Sequence, residues 1–211
     1  MNGDGWRGWP WATRSTLSGN FDLYLFFDTE TTGIPKNYKA PVTDLKNWPR
    51  LVQIAWLVAD DDGNEISSAE HIVKPDAFTI PPDAARVHGI TTQIATERGV
   101  EINIALDVIL KDIASAKTLI AHNIAFDEKI LGAEFLRVGY VNHLDAKVRR
   151  CTMQAATDFC RLPGPYGFKW PTLNELHHKL FRASFSGAHQ ALVDVRACAK
   201  CYFELKRLKV M

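Results

Sequence analysis

The chain has 211 residues, of which 46% are hydrophobic and 23% charged, and this size and composition fit one ordinary globular domain. No window approaches the roughly 18 consecutive apolar residues that a membrane span needs, so a membrane is not an expected partner and the cytoplasm is the expected location. The formal net charge is only +1, but it is unevenly spread: residues 1–110 balance to −6 and residues 111–211 to +7.

Residues 1–20 are polar and carry Trp6, Trp9 and Trp11 without an apolar core, so they are neither a signal peptide nor an obvious anchor. They are expected to form a poorly ordered leader, with a partner-binding arm as the sharper alternative. Residues 21–211 are expected to form a single domain.

Residues 21–28 are rich in β-formers and predict a strand, which Thr31-Thr32-Gly33 then ends. Alternate strand residues point the same way, so Asp28 and Glu30 project together. Two like charges held that close are costly unless a cation neutralises them. Oxygen-only ligands favour Mg²⁺ or Mn²⁺ over zinc. A lone Asp-x-Glu is most often solvated surface, so the pair needs company from elsewhere in the chain.

Residues 34–49 form a Pro- and Lys-containing loop, and strands are predicted at about 50–60 and 64–74. Asp60-Asp61-Asp62-Gly63-Asn64 is the turn between those two strands. From Pro81 the pattern becomes helical, and residues 101–116 carry a stripe of Ile102, Ala105, Leu106, Ile109 and Ile113.

A short apolar run at 118–121 predicts a buried strand. His122-Asn123-Ile124-Ala125-Phe126-Asp127 follows it, with Asn123 as N-cap of a helix over 124–138. Asp127 then stands in the first turn, where it could simply complement the helix dipole; Phe126 belongs to the core. A strand at 148–151 leads into a helix over 152–160, a Gly/Pro-rich loop at 161–171 and a helix at 173–181. The loop carries Tyr166, Phe168 and Trp170, which either stack on bases or cover the core.

His189-Gln190-Ala191-Leu192-Val193-Asp194 opens the final helix, which runs from near 190 through 208. A loop-borne His189 beside a helix-borne Asp194 suits a mobile base next to a rigid metal ligand; the alternatives are a capping or surface histidine and a carboxylate paired with Arg196 or Lys200. The basic half also holds Arg149, Arg150, Arg161, Lys169, Lys179 and Arg182, which can meet a phosphate backbone or form a solvated face. Cys151, Cys160, Cys198 and Cys201 lack the paired spacing of a zinc site and are expected to be small buried thiols.

Together these motifs resemble the DEDDh 3′–5′ exonuclease family, which includes the proofreading subunit of the bacterial replicative polymerase, ribonuclease T and oligoribonuclease. Asp28 and Glu30 match its first motif, His122 to Asp127 its second, and His189 with Asp194 its third. Leu51-Val52-Gln53-Ile54-Ala55 and Arg86-Val87-His88-Gly89-Ile90-Thr91 extend the match. The resemblance covers roughly residues 21–209, with no departure at the five motif positions.

The resemblance implies an α/β, ribonuclease H-like fold, a mixed five-stranded sheet flanked by helices. It implies two Mg²⁺ or Mn²⁺ ions: one held by Asp28, Glu30 and Asp194, the second by Asp28 and, directly or through water, Asp127. His189 would take the proton from the attacking water. Thr31, Thr32, Gly33 and Ile34 would cradle the terminal nucleotide, with His88 a weaker candidate whose motif can serve packing alone.

The implied partner is a single-stranded or frayed DNA or RNA 3′ end, and the small net charge suits gripping such an end better than coating a duplex. A homodimer and an association with a polymerase stay open, although the chain ends shortly after its last helix and is expected to hold no polymerase-binding tail. The rival readings are a catalytically silent nucleic-acid-binding module that recruits a polymerase or other partner, an endonuclease on the same scaffold, and a protein whose acids are merely surface.

Overall fold

The computed structural model describes residues 22–186 and 190–211. The leader at 1–20, Phe21 and His189 lie outside the described residues, so the expectations placed on them have no structural counterpart here.

Three strands come first: β1 (Tyr24–Thr31), β2 (Leu51–Ala59) and β3 (Glu65–Ile72). β2 is antiparallel to both neighbours, forming the expected meander. All nine residues of β2 are buried, as suits a strand covered on both faces. β3 is an exposed edge whose charged Glu65 and Glu70 discourage further strand pairing. The Asp60–Asn64 turn is as predicted, with Asp60 Oδ1 accepting from the Asp62 and Asn64 amides.

Helices α1 (Pro82–His88), α2 (Thr92–Arg98) and α3 (Ile102–Ser115) lead to β4 (Thr118–Ala121), which pairs parallel with β1. α4 (Ile124–Arg137) returns to β5 (Val148–Cys151), parallel to β4. The sheet order is β3-β2-β1-β4-β5, which is the mixed, helix-flanked, ribonuclease H-like arrangement expected.

Three local expectations need correction. Asn123 precedes α4 but makes no side-chain cap; it takes a left-handed conformation at φ +85°, which Asn tolerates better than most residues. The single helix over 152–160 is two short ones, α5 (Thr152–Ala155) and α6 (Thr157–Cys160). The Thr157 hydroxyl donates back to the Met153 carbonyl at 3.0 Å, a bond that bends helices. The 161–171 loop holds a small hairpin, β6 (Pro163–Gly164) with β7 (Gly167–Phe168).

α7 (Leu173–Phe181) starts on a complete capping box between Thr172 and Glu175. α8 (Ala191–Arg207) closes the fold. Among the described residues no helix is long and apolar enough to cross a membrane. All four cysteines are buried free thiols, as expected.

Strand alternation divides the core. Leu25 and Phe27 of β1 join Ile54, Trp56 and Val58 against α3 and α4. Tyr24 and Phe26 face the other way, with Ala55, Leu57 and Ile120, and pack on Val195, Cys198 and Tyr202 of α8. The same alternation, carried to the end of β1, decides which helix each polar side chain there can meet.

Candidate active site

Past Phe27 the apolar run of β1 ends and the strand becomes Asp28-Thr29-Glu30-Thr31. Asp28 and Glu30 continue the row of Tyr24 and Phe26, so they face α8. Asp194 lies in the first turn of that helix. One carboxylate oxygen from each of Asp28, Glu30 and Asp194 lies within 4.8 Å of the other two, and all three residues are half-buried.

Thr29 continues the opposite row, that of Leu25 and Phe27, and so faces α4. Asp127 stands in the first turn of α4, buried. Its Oδ1 accepts from the Thr29 hydroxyl at 2.7 Å and from the Thr29 amide at 3.1 Å. Asp127 therefore lies outside the three-carboxylate cluster, held from the far side of the strand, yet its charge still reaches Asp28. Thr29 was not singled out in the sequence, although its place between two acids, with opposite parity, was a usable signal.

Crowding shows in the electrostatics. Burial first, then the charges of Asp127 and Asp194, hold the Asp28 carboxyl well above the usual carboxylate range. Burial, then Asp28 and Asp194, push Glu30 up to about 8. Burial raises Asp127 to about 7 despite the two Thr29 hydrogen bonds, which favour its charged form, and Glu30 adds to the rise. A hard cation among these oxygens would reverse that logic, because it favours the ionised forms. The donor set, three carboxylate oxygens at close range, fits a divalent cation of the Mg²⁺ or Mn²⁺ type.

The turn after β1 is only partly as expected. The Thr32 amide donates to the Arg50 carbonyl at 3.0 Å and the Thr32 hydroxyl accepts from the Arg50 amide, so Thr32 is committed to the fold and its amide cannot serve a ligand. The Thr31 hydroxyl donates to the Gly33 carbonyl at 2.6 Å, which shapes the turn. Gly33 has φ +147°, a conformation that favours glycine, and faces open space. Ile34 is 75% exposed beyond it, a large apolar side chain available for contact. His88 is the buried last residue of α1, and its Nδ1 accepts from the Ile90 amide at 3.2 Å, a bond that serves local packing.

His122, part of the second motif, has a defined structural role. Its Nε2 lies 2.9 Å from the Pro171 carbonyl, which can only accept, so Nε2 carries the proton. Nδ1 then accepts from the Thr152 hydroxyl at 2.9 Å. Burial pushes this imidazole down to about 4, against the opposing pull of the Pro171 carbonyl, so it is neutral near pH 7. His122 thus ties the end of β4 to the residue preceding the α7 cap.

The basic residues are less available than their number suggests. Arg149 is engaged by Glu128 and Asp145, and Lys169 by Glu175 at 2.6 Å. Phe126 is half-buried against the core, as expected. Tyr166, Phe168 and Trp170 do not cover the core; they are exposed.

A family model described as an exonuclease, RNase_T, matches residues 25–202, nearly the whole described chain. No curated protein matches. Several solved structures share the fold. The zinc-bound Escherichia coli exonuclease I–single-stranded DNA complex superposes with TM-score 0.69 at 24% identity, over 89% of this chain and 41% of that one. E. coli exonuclease I with a dA16 oligonucleotide gives 0.69 at 22%, over 90% and 42%. A moderately thermophilic exonuclease I from Methylocaldum szegediense gives 0.68 at 23%, over 88% and 40%. This chain therefore spans about two fifths of the length of those proteins.

Proposed function

The chain belongs to the RNase_T exonuclease family, and from that membership we propose that it is a metal-dependent 3′–5′ exonuclease that releases nucleoside 5′-monophosphates from single-stranded or frayed 3′ ends. The observation that carries this reading is the convergence of Asp28, Glu30 and Asp194 within 4.8 Å, from two elements far apart in sequence.

When bound, two divalent cations polarise the scissile phosphodiester and make water a stronger nucleophile near neutral pH. Asp28, Glu30 and Asp194 would hold one of them. Asp28 and, directly or through water, Asp127, which Thr29 fixes, would hold the other. The four crowded carboxyls around the end of β1 ionise together only where cations neutralise them, so the charged site and its cations would form together.

His189, beyond the described residues, sits five positions before Asp194 in sequence and takes the proton from the attacking water, a task that suits a neutral imidazole near pH 7. The water's oxygen attacks phosphorus, the bond from phosphorus to the 3′-oxygen of the preceding nucleotide breaks, and that oxygen takes a proton from solvent to become the new 3′-hydroxyl. The phosphate stays on the released nucleotide's 5′-oxygen. The turn at Thr31 and Gly33 receives the terminal sugar, and exposed Ile34 packs against its base.

The test uses matched DNA and RNA oligomers labelled at the 5′ end, with Mg²⁺ or Mn²⁺. The expected result is a ladder shortening one nucleotide at a time, abolished by EDTA and by Asp28→Asn or Asp194→Asn. Cleavage of a circular single strand, or undiminished activity in either variant, would overturn the reading. His189→Ala is expected to lower turnover by about 10²–10⁴-fold, the usual worth of a general base. A flat pH–rate profile between about pH 6 and pH 9 in the wild type counts against His189 in that role.

A further inference from the structure

The hairpin formed by β6 and β7 presents three aromatic side chains to solvent: Tyr166 is 101% exposed, Phe168 50% and Trp170 62%. None of them belongs to any of the core clusters among the described residues. Burying each of these rings would be strongly favourable, so holding three of them in water within five residues calls for an explanation.

The hairpin is built to hold them there. Pro163 pairs with Phe168 and Gly164 with Gly167, and the Lys169 amide donates to the Leu162 carbonyl at 2.9 Å. A Cβ on Gly164 would come within 3.0 Å of the Lys169 amide nitrogen, so the close strand approach depends on that glycine.

Alternation along the extended segment puts Phe168 and Trp170 on one side, with Tyr166 at the tip. Lys169 points the other way, and its ammonium meets Glu175 Oε1 at 2.6 Å. Glu175 Oε2 accepts from the Thr172 amide at 2.8 Å in the capping box of α7. The ion pair ties the face opposite the rings to the start of α7.

The hairpin is also fixed relative to the carboxylates. β1 and β4 run parallel and pair up to Phe26 and Ile120. Asp28 and His122 leave that same sheet edge two residues later. His122 Nε2 holds the Pro171 carbonyl at 2.9 Å, and Trp170 is the next residue back. One end of the sheet therefore carries Asp28 and, through His122 and Pro171, anchors the segment that follows the hairpin.

We propose that Tyr166, Phe168 and Trp170 form a stacking platform for the bases of a single nucleic-acid strand upstream of the nucleotide being removed. The proposal rests on the exonuclease reading of the neighbouring carboxylates. Bases stack on such rings without regard to sequence, since every base has a π-face. A platform of exposed rings accepts an unpaired strand and rejects a duplex, whose bases are already stacked on one another.

Binding of a fluorescent oligothymidylate on the order of ten nucleotides long, followed by anisotropy in EDTA, tests this directly. Phe168→Ala with Trp170→Ala is expected to weaken binding about 10-fold or more. Trp170→Phe, which keeps a ring, is expected to restore most of the loss in a Phe168 background. Unchanged affinity in the double alanine variant overturns the platform.

A second measurement separates the two readings. In Mg²⁺, the ratio of kcat/KM for the oligonucleotide to kcat/KM for the p-nitrophenyl ester of thymidine 5′-monophosphate is expected to fall in the double variant, through KM of the strand. Hydrolysis of both substrates with an unchanged ratio removes the platform and leaves the exonuclease. Failure of the wild type on both, with strand binding still dependent on the rings, removes the exonuclease and leaves the platform.

Discussion

Two groups of carboxylates are withdrawn from water in this protein, and they are treated in opposite ways. Glu134 of α4 is fully buried, and its Oε1 receives Arg50 Nε at 2.9 Å, Arg137 Nη1 at 2.7 Å and the Leu51 amide at 3.0 Å. Arg137 also donates to the Leu45 and Trp48 carbonyls, both at 2.7 Å, so the two ion pairs of Glu134 pin the 34–49 loop and the start of β2 to α4. At Asp28 and Glu30 the nearby charges that matter are of the same sign, and every cause acting on their carboxyls raises them. Where the chain supplies the counter-charge, the carboxylate serves the fold. Where it gathers carboxylates together instead, crowding keeps their protons on or calls for a cation.

Substitution should separate the two groups by the sign of the effect. Glu134→Ala leaves two guanidinium groups beside a site built for a carboxylate, and it is expected to cost about 3–5 kcal/mol in denaturant unfolding, the usual result of breaking a buried pair. A loss near zero would mean that Glu134 is not the fixed point described here.

The pH dependence should sharpen the contrast next. Glu30 is raised from 4.5 to about 8 and Asp127 from 3.8 to about 7, so folding takes up protons between the unfolded and folded values. The folded protein then binds more protons than the unfolded chain, and stability falls as pH rises through that window. His122 acts oppositely at lower pH, because its folded value of about 4 lies below its ordinary 6.5. Above about 6.5 it is neutral in both states and the acids act alone. In EDTA the thermal midpoint is therefore expected to drop between about pH 6.5 and pH 8.5. Mg²⁺ should cancel most of that drop, since it binds the ionised folded site. A midpoint that rises over the same interval in EDTA contradicts the crowding of these acids.

The smallest effect expected is Asp28→Asn in EDTA, a stabilisation on the order of 1 kcal/mol from relieving the crowded charges. It should also flatten the pH dependence, because Asp28 is itself one of the charges that raise Glu30. Destabilisation by Asp28→Asn would place that carboxylate in the same structural class as Glu134.

Much of this was legible in the chain itself. The strand at β4 falls on the residues that local pattern indicated, because a short apolar run is a local signal, and β5 and α7 also lie where expected. Other features were not local. The break between α5 and α6 comes from one threonine bonding back to Met153, which competes with a helical pattern that sequence alone could not overrule. Thr32 looked free to meet a ligand until the backbone of Arg50, eighteen residues on, took both its amide and its hydroxyl. Three aromatics in a loop could have faced the core or the solvent, and only the folded hairpin shows them exposed.

By itself the sequence determined that Asp28 and Glu30 share a side of one strand, since the two-residue period of a strand is a property of the backbone. It also determined the order of the elements along the chain. Only the tertiary structure decided that α8 covers the side bearing those two acids while α4 covers the side bearing Thr29. That choice brings Asp194 into the cluster and leaves Asp127 reaching it from behind, bonded to Thr29. The physical reason is that the face a helix covers is fixed by which rows of apolar side chains it must bury, and those rows come from strands far apart in the chain.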